Sequence, residues 1–146
     1  MEEPATPYPF EVVVEGVPLS LQASHQSRAR WIERVHNAAL SRRIHTYELG
    51  LLDERVLAVT IFYFAAAPMG GDIDNIVKPI MDALKAVAYV DDRVVERVVA
   101  QKYEPAVAWD FLAPSEQLAV ALDRDPPVVY IRVDDDLRWR TQNGNS

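Results

Sequence analysis

Residues 54–64, ERVLAVTIFYF, are almost continuously apolar and rich in β-branched and aromatic side chains. A run of that length and composition reads as a central strand buried on both faces. Such a strand needs neighbouring strands in a sheet and cover above and below it. A chain of 146 residues must supply all of this within one domain, since two would each be unusually small. At this size roughly 68–70% of the unfolded surface is buried, enough for a core without covalent staples.

The flanking patterns provide the remaining parts. FEVVVEGV over 10–17 predicts a strand ended by Gly16 and Pro18. A helix follows over about 27–43, with Trp31, Ile32, Val35, Ala38 and Ala39 on its apolar face. Pro68, Gly70 and Gly71 break the chain after the central strand. A second helix is predicted over about 75–88, with Ile76, Ile80, Ala83, Leu84 and Val87 as its buried stripe and Pro79 in or just after the first turn. A strand over 94–103, a short amphipathic helix over 115–122 and a last strand over 128–133 complete the order. The expectation is an α+β domain, a mixed β-sheet with two principal helices packed on it. Residues 1–146 form that single domain, ordered over about 8–134, with a polar C-terminal tail over 135–146 that is expected to fray.

Composition excludes several chemistries. The chain has no cysteine, which removes disulfides, thiol nucleophiles, Cys-ligated zinc and iron–sulfur clusters. The opening Met1-Glu2-Glu3-Pro4 is acidic where a secretory leader is basic, and the apolar stretch from Val56 to Gly70 is too short to span a bilayer. A cytoplasmic protein with no membrane partner is expected. The net charge of −7 hides one basic segment: residues 26–45 carry Arg28, Arg30, Arg34, Arg42 and Arg43 against Glu33 alone. Arg30, Arg34, Asn37 and Ser41 share the polar face of the first helix, with Arg42 and Arg43 at its end. This is either an ordinary solvated face or a row of phosphate donors.

The chemistry is concentrated in GGDIDNIVKPIMDALKAVAYVDD, residues 70–92. In an extended lead-in to the second helix, Asp72 and Asp74 point the same way and converge on one point. The helix N-terminus favours their ionised form. Asp74, Lys78, Asp82 and Lys85 fall on one polar strip, and Lys78 lies one turn after Asp74. Asp91 and Asp92 lie past the far end of a fourteen-residue helix about 21 Å long, so they reach the others only if the chain doubles back. Carboxylates without Cys or nearby His make a hard-oxygen site suited to Mg²⁺, with Mn²⁺ as a substitute, rather than zinc. The same residues also suit plain structural roles: a helix cap, a turn and an exposed ion pair.

The stretch DIDNIVKPIMDAL followed by VDDRVV closely resembles the RusA family of Holliday junction endodeoxyribonucleases, specifically over Gly71 to Lys102. The resemblance implies an α+β homodimer that cuts four-way DNA junctions by paired, Mg²⁺-dependent nicks. It implies Asp72, Asp74 and Asp92 as metal ligands, with Asp91 an alternative to Asp92, and Lys78 as the catalytic lysine. Arg30, Arg34, Arg42 and Arg43 are then candidate DNA contacts. A flap or single-strand nuclease on the same scaffold, and a non-catalytic binder of branched DNA, are the competing readings. Elsewhere the residues point to structure. His25, His36 and His45 have no paired carboxylate in the local sequence, Ser20, Ser24 and Ser27 are capping candidates, and Trp31 suits the core or a dimer contact. Trp109 suits packing or base stacking, and Trp139 lies in an irregular segment.

Overall fold

The computed structural model describes residues 8–18, 24–46, 55–85 and 87–138. Strands β1 (Phe10–Glu15), β2 (Leu57–Phe64), β3 (Val95–Tyr103) and β4 (Val128–Asp134) form one sheet in the order β1-β4-β2-β3. β4 runs antiparallel to both β1 and β2, whereas β2 and β3 are parallel. The helices are α1 (His25–Thr46), α2 (Val77–Leu84) and α3 (Glu116–Asp123), with 3₁₀ turns at Ile73–Ile76 and Asp92–Val94. The α+β class and the mixed sheet agree with the sequence patterns, and the central run is an inner strand.

Period-two alternation divides the core. Leu57, Val59, Ile61 and Tyr63 of β2, with Val129, Ile131 and Val133 of β4, pack under α1 and α2. Phe64, Val128 and Tyr130 point the other way and meet Leu118 and Ala121 of α3. Cover on that second face is partial, so β2 is fully buried on one face only. Ala58, Thr60 and Phe62 are half-buried beside a groove of about 500 Å³.

α1 buries Trp31, Val35 and Ala39, as its apolar spacing requires. Its cap is Ser24, whose Oγ accepts from the Ser27 amide at 3.1 Å. β1 ends at Glu15 because Gly16 adopts φ +130°, and a Cβ there would lie 3.0 Å from Arg34 Nη1 and 3.2 Å from Trp31 Cζ3. Ser20 and Trp139 lie outside the described residues, as does the side chain of His45.

The main departure from expectation is the length of α2. The predicted helix over 75–88 is instead a 3₁₀ turn followed by eight α-helical residues, about 12 Å long. Val87, Ala88 and Tyr89 are all buried to within 1% of full exclusion, but they do not continue the helix. The backbone turns instead. Lys85 is extended, and the amides of Val87 and Ala88 both donate to the Leu84 carbonyl. The turn is pinned where the Tyr89 hydroxyl donates to the Met81 carbonyl at 2.7 Å and the Tyr8 hydroxyl donates to the Ala88 carbonyl at 3.1 Å.

Among the C-terminal acids, Asp134 pairs with Arg132, Asp135 with Arg55 and Asp136 with Arg138, and residues 139–146 of the expected tail lie outside the described residues. Tyr89→Phe removes the hydroxyl that anchors the α2 turn and leaves the Met81 carbonyl without that donor. We expect a loss of about 1–2 kcal/mol in urea unfolding with an unchanged m-value.

Candidate active site

The β2–α2–β3 crossover sets the geometry of the acidic segment. Pro68, Gly70 and Gly71 carry the chain out of β2, and this loop is tied to the end of β3 by two bonds. The Ala65 amide donates to the Tyr103 carbonyl at 3.0 Å, and the Met69 amide donates to Glu104 Oε2 at 2.6 Å. Asp72 then caps the first 3₁₀ turn with extended backbone, its carbonyl accepting from the Asn75 amide at 3.1 Å. Asp74 lies inside that turn rather than in an extended lead-in. The two-residue alternation expected to aim both carboxylates alike does not operate there, because a 3₁₀ turn rotates successive side chains by about 120°. Both residues are exposed.

Because α2 is short, the chain doubles back and delivers Asp92 to its first turn. Lys78 Nζ donates to Asp92 Oδ2 at 3.0 Å and sits 2.7 Å from Asp82 Oδ1. Lys78 therefore turns to Asp82 and Asp92 rather than to Asp74. Asp91 points elsewhere, 3.8 Å from Lys85 Nζ. Asp92 is the less exposed of the pair, 29% against 43%. Its Oδ1 is buried and has no hydrogen-bond partner among the described residues. The neighbouring Tyr89 hydroxyl is committed to Met81, and burial together with the Asp92 charge keeps it protonated.

The segment from Asp72 to Asp92 holds five carboxylates and two ammonium groups. The hydrogen bonds that Lys78 donates to Asp82 first, then to Asp92, raise its pKa well above the usual value. Lys78 is thus a fixed positive charge at neutral pH and a poor general base. Among the described residues no three His, Asp or Glu side chains lie close enough together to hold a metal ion. The structure joins Asp92 to Lys78 and leaves Asp72 and Asp74 on the exposed lead-in. The donor set nonetheless suits a hard divalent cation, and the unpartnered, buried Asp92 Oδ1 is the atom with an unmet need for one.

The four candidate arginines are not equivalent. Arg34 Nη1 donates to the Glu15 carbonyl at 3.2 Å and Arg42 Nε to the Glu11 carbonyl at 3.0 Å, so both fasten α1 along the β1 edge. Arg30 is exposed and Arg43 half-buried. His36 Nδ1 lies 3.1 Å from the Ala83 carbonyl and joins α1 to α2, which is a structural role. Trp109 packs with Phe64, Tyr103 and Phe111, yet remains 42% exposed. Asp82 and Glu104 were not singled out as site residues by the sequence patterns. Asp82 had a usable signal, its four-residue spacing from Lys78, whereas Glu104 contacts the loop only through the tertiary fold.

Residues 53–108, which contain the whole β2–α2–β3 unit, match the family Endodeoxyribonuclease RusA. The family resemblance drawn from the motif is borne out over that segment, and the match supports a Holliday junction endonuclease in general terms. No curated protein matches the chain significantly. Among the described residues no helix is long and apolar enough to cross a membrane.

The raised pKa of Lys78 has a direct consequence. Its stabilising contribution is fully present below the ordinary lysine value of 10.5 and is lost only as pH rises through the higher folded value. In an NMR titration, the Lys78 side-chain carbon resonances should show no midpoint below pH 10.5, and Asp82→Asn should lower that midpoint.

Proposed function

We propose that this chain, matched to the RusA endodeoxyribonucleases over residues 53–108, is a Mg²⁺-dependent endonuclease that resolves four-way DNA junctions by paired nicks in recombination and repair. The observation that carries the reading is the ion pair between Lys78 and Asp92, fourteen residues apart, which gathers the halves of the family motif at one end of α2. Asp72, Asp74 and Asp92 are the residues that would hold the ion, with Asp92 favoured over Asp91 by its buried, unpartnered oxygen. A bound Mg²⁺, or Mn²⁺ in its place, would activate water and offset charge on the phosphate.

The chain's own residues do the rest. Lys78 stays protonated and supplies a positive charge beside the carboxylates, where it steadies negative charge on a phosphate oxygen or the departing oxygen. Glu104 holds the Met69 amide and so limits the freedom of the loop that carries Asp72 and Asp74. The α1 arginines Arg30, Arg34, Arg42 and Arg43 contact phosphates, and the bonds of Arg34 and Arg42 to β1 carbonyls hold that row against the sheet. Those contacts let an acidic protein hold DNA by releasing counterions, and the binding weakens with salt accordingly. A homodimer in the cytoplasm suits the substrate, since two symmetric cuts call for two identical sites related by a twofold axis.

The test is cleavage of a synthetic four-way junction with Mg²⁺ and with EDTA. We expect paired, symmetric nicks only with the metal. Asp92→Asn should lower cleavage roughly hundredfold or more while leaving junction binding in place. Cleavage in EDTA, or full cleavage by Asp92→Asn, would rule out the metal-dependent mechanism. Junction binding without cleavage by the wild-type protein would favour the non-catalytic reading.

A further inference from the structure

We propose that Lys78 is the built-in counter-ion of the site: it neutralises Asp92 until a divalent cation claims that carboxylate, and Asp82 then keeps the lysine at the site's edge. This rests on the metal-dependent reading above and adds a competitor and a positioning residue to it.

The geometry points there directly. One ammonium bridges two carboxylates, at 2.7 Å from Asp82 and 3.0 Å from Asp92. The two carboxylates are not alike. Asp82 belongs to the same helix face and moves with Lys78. Asp92 comes from the far end of the crossover, with Oδ1 buried and unpartnered and Oδ2 held by Lys78. A cation on Oδ1 would share one carboxylate with the ammonium. Two like charges that close repel even at surface dielectric, enough to change affinity by about tenfold. Lys78 is half-exposed on a flexible stem, so it relieves the repulsion by leaving Asp92. Asp82 gives it a second anchor, and the lysine is retained beside the ion instead of swinging into solvent. Lys85 provides the contrast: it carries the same charge just past the end of α2, but its neighbour is Asp91 at the longer distance of 3.8 Å.

The inference is tested by calorimetric titration of the full chain with Ca²⁺. Lys78→Met should tighten Ca²⁺ binding by about tenfold or more, with Lys78→Gln agreeing, whereas Lys85→Met should change it by clearly less. Asp82→Asn should weaken binding in the wild-type background, because Lys78 then rests on Asp92 alone. In the Lys78→Met background the same substitution should have a distinctly smaller effect. Equal Ca²⁺ affinity for wild type and Lys78→Met, an equal gain from Lys85→Met, or an Asp82→Asn effect independent of Lys78 would each overturn the proposal while leaving a metal site intact. Absence of any Ca²⁺ binding by wild type and Lys78→Met alike would instead remove the metal site, and the proposal with it.

Discussion

The consecutive burial of Val87, Ala88 and Tyr89 governs the rest of the site. These three side chains enter the core one after another just past Lys85, whose extended backbone ends α2 after eight residues and lets the chain reverse. The Tyr89 and Tyr8 hydroxyls secure the turn to backbone carbonyls. A helix continued to Ala88 would have carried Asp91 and Asp92 away from Lys78. The reversal brings Asp92 back to the first turn of α2, beside a lysine whose position is fixed by its own helix. A packing requirement thus sets the electrostatics.

Negative charge is concentrated in this segment. Five carboxylates lie between Asp72 and Asp92, and two of them are already engaged by Lys78. An exposed ion pair adds little to stability, so the arrangement is better understood through what it holds ready than through what it contributes to folding. On α1, Arg34 and Arg42 bind the Glu15 and Glu11 carbonyls and so fasten the helix to the edge of β1.

Much of this was legible from pattern. The central run marked β2, shorter β-branched runs marked β1 and β4, and helical spacing marked the buried face of α1. The DxDN, Lys and DD spacing marked the region matched by the RusA family. The extent of α2 was not legible, because A-V-A-Y continues the apolar spacing of the helix, and the Tyr8 and Tyr89 hydroxyl bonds that hold the turn belong to the tertiary fold. The pairing of Lys78 with Asp92 follows from that turn and was equally hidden. Asp82 was visible as a neighbour of Lys78, but its role depends on the arrival of Asp92. Of the partners of the acids at 134–136, Arg132 and Arg138 lie only two residues away in sequence, whereas Arg55 meets Asp135 only through the fold.

The central claim is that the Asp92 carboxylate is shared between Lys78 and a divalent cation. Anomalous diffraction from crystals soaked in Mn²⁺ addresses it most directly. The account predicts an anomalous peak within bonding distance of Asp92 Oδ1, with Asp72 and Asp74 drawn toward it and Lys78 Nζ withdrawn from Asp92 onto Asp82. A peak ligated by other residues, or a saturated site in which Lys78 still holds Asp92 Oδ2 as before, would contradict it.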